Sequence, residues 1–490
     1  MTDVFQQIND FLLSALNSVN GFMGTMLVVV LGVTALWFTI ATKGVQFRLI
    51  GDMLRLLVRD DDKAIKKSGG KHVSSFQAFM VSIASRVGTG NLAGVATAIV
   101  IGGPGAIFWM WVMALIGSAN AFIESTLAQL YKIKGKDSFI GGPAYYISKG
   151  LKKKWFAVLF AVSIIVCFGF ANNIVQSNTI SLAYVTAFGV DPIIMSIALT
   201  VLTLLIIFGG IQRIAKFSSV VVPVMAVAYL IVSIVIIALH IEKVPEVFMM
   251  IVQNAFGYGQ VLGGGVGMAI MYGFQRGLFS NEAGEGSAPN VAATATTGHP
   301  VKQGLIQSLG VFTDTLLICS CTAFIILCSG VYGNGHSGIE LTQDALSSQI
   351  GSFGATFIAI IILCFAFTSV IGNYYYGECN LYFLTRNSKV MFAYRVLVGI
   401  MVFVGGVATL DLAWGIMDFT LAIMATTNLV AILLLGKYAV RCLNDYMRQR
   451  KEGKNPVYRR SAIPEISKET ECWPDLYSQK SFVYYRLWQS

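Results

Sequence analysis

Two stretches gather polar and helix-breaking residues inside otherwise apolar sequence. One is Ser85-Arg86-Val87-Gly88-Thr89-Gly90-Asn91-Leu92-Ala93-Gly94. The other is Arg276-Gly277-Leu278-Phe279-Ser280-Asn281-Glu282-Ala283-Gly284-Glu285-Gly286-Ser287-Ala288-Pro289. Each glycine costs roughly 1 kcal/mol of helix propensity against alanine, and Ser, Asn and Thr offer the backbone competing hydrogen bonds. Close helix packing accounts for the glycines. It does not account for Arg86, Arg276, Asn91, Asn281 and Glu282, because a charge at mid-bilayer costs about 2.5–3.5 kcal/mol. We therefore expect both stretches to be unwound. An unwound helix leaves N–H groups free at the start of one half and C=O groups free at the end of the other. The N–H end attracts a carboxylate, and the C=O end attracts an ammonium or a cation. A zwitterionic amino acid needs both, and sodium takes carbonyl and hydroxyl oxygens.

Other chemistries lack residues. His72, His240, His299 and His336 lie near span ends or in loops, and we expect them at the surface. There is no HExxH, no paired catalytic carboxylates and no Ser/His couple, which argues against an enzyme. No Gly-x-x-x-x-Gly-Lys-[Ser/Thr] loop is present, which argues against ATP-driven transport, and the charged run Arg59-Asp60-Asp61-Asp62-Lys63 has no phosphate-binding sequence around it. A filter sequence typical of channels is also missing. Glu124, Asp314 and Glu378 lie in or near apolar runs. Structural pairing with Arg86 or Arg276 is the expectation, with ion or proton coupling as the alternative. Glu282 and Glu285 are expected to cap a half-helix or form an inner gate, and Tyr374, Tyr375 and Tyr376 to serve packing. The eight cysteines, mostly inside apolar runs, are expected to be reduced core thiols rather than metal ligands.

The elements that must hold these stretches are membrane helices. Of the 490 residues, 55% are hydrophobic and only 12% charged, about half the charge of a soluble chain. The apolar residues form runs of about 20 or more, which match a bilayer and must be helical there. Eleven spans are expected: 22–42, 74–101, 104–131, 155–188, 191–210, 217–240, 257–288, 304–330, 353–383, 390–407 and 414–437. Lys and Arg crowd the loops of one side, as at Lys43, Arg48, Arg55, Lys132, Lys149, Lys302 and the tail after Lys437. Glu340 and Asp344 stand in a loop without any base on the other side. The split places the N-terminus outside and the C-terminus in the cytoplasm. The +10 net charge thus belongs to membrane loops and not to a nucleic-acid interface. The first ten residues lack the features of a removable signal peptide.

With the first span set aside, the interrupted spans open each of two groups of five. An odd group size makes the second group inverted. Interrupted spans at matching places in inverted halves point to a midplane transport site. The expected organisation is an extracytoplasmic N-terminus (1–21), a peripheral span (22–42), two five-span repeats (74–240 and 245–437) and a basic tail (438–490) touching lipid headgroups.

Gly88-Thr89-Gly90-Asn91-Leu92-Ala93-Gly94-Val95-Ala96-Thr97-Ala98-Ile99, continued at Gly102-Gly103-Pro104-Gly105-Ala106, resembles the alanine/glycine:cation symporter family. So do Arg276 to Gly284, Gly286-Ser287-Ala288-Pro289, Gly141-Gly142-Pro143-Ala144-Tyr145-Tyr146 and Phe367-Thr368-Ser369-Val370-Ile371. The resemblance spans residues 22–437. It implies an all-α membrane protein with a LeuT-type 5+5 inverted repeat after one extra helix. It also implies sodium- or proton-coupled uptake of alanine or glycine across the cytoplasmic membrane of a prokaryote, with no obligate protein partner. Carried over by position, Thr89, Gly90 and Asn91 take the substrate carboxylate and Gln176 is a polar contact. Phe274, Phe279, Ser280 and Asn281 are candidates for the facing wall. The sodium site falls to the carbonyls of Ala84 and Val87 with the hydroxyls of Thr368 and Ser369. One position departs: Asn373 follows Gly372 where the family pattern has tryptophan. The smaller polar side chain leaves a larger pocket and brings in a longer polar amino acid such as glutamine.

Overall fold

A computed structural model describes residues 2–58, 73–135, 138–258, 265–407 and 411–474. The charged loop at 59–72 with His72, Lys136, the stretch 259–264 of the seventh span and the tail beyond Pro474 lie outside the described residues.

The described chain is helical almost throughout, with a single two-stranded ribbon at Ile133–Lys134 and Phe139–Ile140. Eight helices are long and apolar enough to cross a membrane. Three other expected spans are shorter in unbroken length. These are the fifth, Pro192–Ile207, and the two interrupted ones. Two boundaries differ from expectation. The first helix runs Thr2–Ala41, so residues before 22 continue it. The last runs Asp411–Lys451, well past Lys437. Neither end carries a breaker: no Gly or Pro stands between Thr2 and Asn20, or between Tyr438 and Lys451.

The second span starts at a capping box, in which Ser74 and Gln77 exchange side chain-to-backbone bonds of 3.0 Å each way, a strong start signal. The first half, Ser75–Arg86, then ends, and a π turn at Gly90 opens the second half, Gly90–Gly102. The seventh span runs Gly265–Asn281 and breaks at Glu282, followed by Gly284 and Gly286, all three at positive φ. Helix resumes for one turn at Pro289–Ala292.

Around these breaks, elements of the first group of five pack against their counterparts in the second. The third span (Gly105–Leu130) lies against the eighth (Pro300–Ser329). The fourth (Lys154–Phe188) lies against the ninth (Phe353–Leu384), and the fifth against the tenth (Ser388–Val407). The first helix sits outside this arrangement, against the third and the last.

At one end of the bundle a cavity of about 880 Å³ opens among Asn20, Thr97, Met268, Gly338 and Trp414; we call this the vestibule face. The opposite face carries a separate recess lined by Lys134, Lys149, Arg386 and Glu471. Residues 452–474 fold back onto this face and bury Tyr458, Ile463, Ile466 and Trp473. Trp473 Nε1 donates to the Gln129 carbonyl at 3.1 Å, and the Tyr458 N–H donates to Gly298 at 2.9 Å. The Lys132 ammonium stands 4.7 Å from the Trp473 ring, a cation–π contact. The loop at 295–298 is also tied elsewhere. The Thr296 N–H donates to Val73 at 3.0 Å, and the Ala295 carbonyl accepts from Gln129 Nε2 and Lys132 Nζ at 3.0 and 3.1 Å.

Candidate functional site

The first half of the second span ends with carbonyls directed at the ninth. Ser369 Oγ lies 3.0 Å from the Ala84 carbonyl, 3.0 Å from Ser85 and 3.3 Å from Val87, and also 3.1 Å from Phe365 in its own helix. Thr368 Oγ1 lies 3.5 Å from Ala84 and 2.9 Å from Phe365. Two hydroxyl hydrogens face more carbonyl oxygens than they can satisfy. Such an oxygen-rich cage, without a carboxylate, suits a hard monovalent cation.

The second half begins beside it. Gln176 Oε1 accepts from the Thr89 N–H at 3.0 Å and from Thr89 Oγ1 at 2.7 Å, and its amide nitrogen is anchored on Asn172 at 2.9 Å. Asn91 Oδ1 holds the Gly88 N–H at 2.9 Å. A side chain at Gly88 would collide with Ser369 Oγ and Gln176 Oε1, and one at Gly90 would press on the Ser280 backbone and the Phe279 ring. Only glycine lets the two broken spans cross so closely.

Asp314 joins the breaks. Its fully buried carboxylate accepts from Asn91 Nδ2 at 2.7 Å, from Ser280 Oγ at 2.6 Å and from Thr315 Oγ1 at 3.1 Å. Hydrogen bonds to a charged group contribute about 1.5–3 kcal/mol each. Asn281 donates to Thr315 at 3.0 Å and accepts from the Ala283 N–H at 3.1 Å, which caps the break. Phe279 meets Trp414 edge-on at 5.5 Å between ring centres, beneath the vestibule floor. Arg276 lines that vestibule, 4.8 Å from the Trp414 ring and 3.9 Å from Asp418.

The structure thus brings together Ala84, Val87, Thr368 and Ser369, and beside them Thr89, Gly90, Asn91, Gln176, Phe279, Ser280 and Asn281. Asn373 sits at the edge, accepting from Ser85 at 2.7 Å and donating to Asn173 at 3.3 Å. Phe274 stands apart, packed 6.3 Å from the Trp109 ring and against Gly32 of the first helix, because it lies more than a turn before Phe279. The expected ion pairs are partnered differently. Glu378 pairs with Arg395 at 2.7 Å, and Arg86 donates to the Gln307 carbonyl at 3.1 Å. Glu124 accepts from the Gly284 N–H and from Asn428. His299 is not a surface histidine. It is wholly buried, and its Nδ1 accepts the Val301 N–H at the start of the eighth span. Tyr376 does more than pack, since its hydroxyl donates to Glu282 at 2.9 Å. All eight cysteines are free thiols. Asp314 had a signal, a lone acid in an apolar run, but nothing in the sequence tied it to Asn91 and Ser280. Trp414 had none, because an aromatic at a span start is commonly an interface anchor.

Residues 9–460 match the model of the sodium:alanine symporter family. The chain belongs to this family. Among the relatives of this symporter-family chain is the Bacillus subtilis protein named "Probable sodium/glutamine symporter GlnT", 49% identical over 96% of this chain and 97% of that one. The amino-acid carrier protein AlsT of the same organism is 48% identical over 96% and 99%. The sodium/proton-dependent alanine carrier protein of Bacillus sp. strain PS3 is 40% identical over 81% and 93%. Among solved structures, MhsT in complex with L-phenylalanine aligns with 86% of this chain and 96% of its own at 14% identity, with a TM-score of 0.48. A family of carriers fits a multi-pass membrane protein that moves solute and performs no bond chemistry.

Proposed function

We propose that the protein is a sodium-coupled symporter that takes a small neutral amino acid, alanine, glycine or glutamine, into the cytoplasm by alternating access. One observation carries the reading. The carbonyls of Ala84 and Val87 meet the hydroxyls of Thr368 and Ser369 at one end of a broken helix, and its other end starts at Thr89 against Gln176. Sodium at the first position draws the second and ninth spans together, and the substrate carboxylate lies at the Thr89–Asn91 helix start. Asp314, with Ser280, holds the opposite wall against it. All eleven spans cross the membrane in this reading. The basic tail face is cytoplasmic by the positive-inside rule, and the vestibule faces outward.

The test is uptake by purified protein in liposomes, using a panel of radiolabelled amino acids with sodium and proton gradients imposed separately. Accumulation driven by sodium alone is expected. Accumulation driven only by protons points to proton symport, and equilibration without accumulation points to a channel. Ser369→Ala, and to a lesser degree Thr368→Ala, should raise the sodium concentration for half-maximal uptake by about tenfold, equivalent to ~1.4 kcal/mol, with protein abundance little changed. Unaltered sodium titrations would remove the site from these residues. Asn373→Trp should shift competition toward alanine and away from glutamine, because the indole fills the space beside Ser85 and Asn173. Equal inhibition by both amino acids, before and after, would show that this position does not set selectivity.

A further inference from the structure

The break in the seventh span holds a second cluster, which touches the sites above only through Ser85 and Asn373. Glu282 and Glu285 are 1% and 0% exposed, and they share one hydroxyl. Ser287 Oγ lies 2.7 Å from Glu282 Oε2 and 2.9 Å from Glu285 Oε1. A serine hydroxyl carries one hydrogen. If both acids are ionised, that hydrogen serves one of them and the serine lone pairs face the other. The contact pattern closes only when one carboxyl supplies a hydrogen of its own. The other oxygen of Glu282 repeats the shortage: Ser85 Oγ lies 2.7 Å from Glu282 Oε1 and 2.7 Å from Asn373 Oδ1. At the far end of the chain of contacts, Glu285 Oε2 is wholly buried with no hydrogen-bond partner.

The surrounding charges do not balance the pair. Arg86, at the end of the second span's first half, attracts both acids, but it forms no ion pair with either among the described residues. Its Nη1 is spent on Gln307, and its Nε and Nη2 are unpartnered. Glu124 of the third span adds a further acid. Cys167 of the fourth span and Tyr376 of the ninth also face the pair, and Tyr146 faces Glu124. Three acids against one guanidinium, all buried among protein atoms, leave excess negative charge that burial strongly opposes. Glu282 is also held at φ +56, a conformation that a non-glycine residue adopts only under constraint.

We propose that Glu282 and Glu285 bind one proton between them, and that this carboxyl pair is a proton site controlling the tail-face half of the broken seventh span. The inference rests on the transporter reading for its gating role. With the proton in place, an unbroken chain of hydrogen bonds runs Glu285–Ser287–Glu282–Ser85, and Tyr376 adds the ninth span. Loss of the proton from a carboxyl oxygen to water leaves two facing carboxylates that repel, and the break loosens from the second and ninth spans. The proton returns from water when the face closes. Protonation therefore favours the closed tail face, and deprotonation favours its opening.

The decisive variant is Glu285→Gln, an uncharged isostere of the protonated acid. In liposomes under a fixed sodium gradient, wild-type uptake should rise with internal pH by up to about tenfold per unit on its rising limb, as for loss of one proton. The variant should transport more slowly, with that slope flattened. A variant slope equal to wild type overturns the proposal. If Glu285→Gln does not yield folded protein, Ser287→Ala takes its place, and an unshifted pH profile in that variant likewise overturns it. Infrared spectra of purified protein give a reading independent of transport. The carbonyl stretch of a protonated carboxylic acid should be present in wild type and diminished in Glu285→Gln, and an unchanged band rejects the shared proton. Absence of any sodium-driven uptake by wild type, with the infrared difference intact, would instead defeat the transporter reading while leaving the proton site standing.

Discussion

Gly88→Ala should sharply weaken sodium-driven uptake while the protein still folds into membranes. The added methyl group would occupy the space of Ser369 Oγ and Gln176 Oε1. Those two atoms belong to the two proposed sites at the break: Ser369 gathers the carbonyls of Ala84 and Val87, and Gln176 holds Thr89. Overpacking in a tight interior costs about 1–3 kcal/mol, and here the displacement separates the cation cage from the start of the second half-helix. Half-saturation for both sodium and amino acid should therefore rise together, by about tenfold or more at 1.4 kcal/mol per decade. Sodium and substrate titrations in liposomes, with abundance followed by gel filtration, provide the check. A variant with an altered substrate constant but an unchanged sodium constant would show that the two ends of the break act separately.

Asp314→Asn should reduce uptake by about 10- to 100-fold, the equivalent of losing charge-assisted hydrogen bonds of ~1.5–3 kcal/mol. The amide keeps the size of the acid but replaces an acceptor oxygen by a donor. Either Asn91 Nδ2 or Ser280 Oγ would then meet an N–H group. Since Asn91 also holds the Gly88 N–H, the fault travels into the second span without any direct contact to the ninth. Asp314→Glu, which keeps the charge but lengthens the arm, should recover less than the full rate, because Thr315, Ser280 and Asn91 enclose the carboxylate on three sides. Initial uptake rates at saturating sodium measure both variants. Wild-type rates in Asp314→Asn would remove this acid from the working site.

The helical fold and the position of both breaks were legible in the sequence. Gly88, Gly90 and Gly94 with Asn91, and Gly284 and Gly286 with Glu282, stand out against apolar helices by composition alone. Their partners were less legible. The hydroxyls of Thr368 and Ser369 followed from family resemblance and not from spacing. Asp314 was visible as an isolated acid, yet its link to Ser280 and Asn91 depends on how three helices cross, which one-dimensional periodicity does not encode. Phe274 and Phe279 are both carried over from the family resemblance as wall candidates, but five residues along a helix turns them to different neighbours. Arg86 and Arg276 suggested salt bridges to Glu124, Asp314 or Glu378, but Arg86 donates to the Gln307 carbonyl and Arg276 pairs with Asp418 beside the Trp414 ring. The buried tail was hidden for a related reason. Its basic residues point to a cytoplasmic extension touching lipid headgroups, and the few apolar side chains that dock residues 452–474, Tyr458, Ile463, Ile466 and Trp473, are spaced without a repeating period.

In the proposed alternating-access cycle, residues 295–298 bear on how the tail face opens. Val73, the Gln129–Lys132 pair and Tyr458 come from three distant parts of the chain, and all fasten to this one short loop. Fasteners that share a single anchor do not let go independently: moving the anchor strains them all, and freeing it frees them all. Release should accordingly be abrupt and all-or-none, with few half-open forms populated between the sealed and the parted conformation.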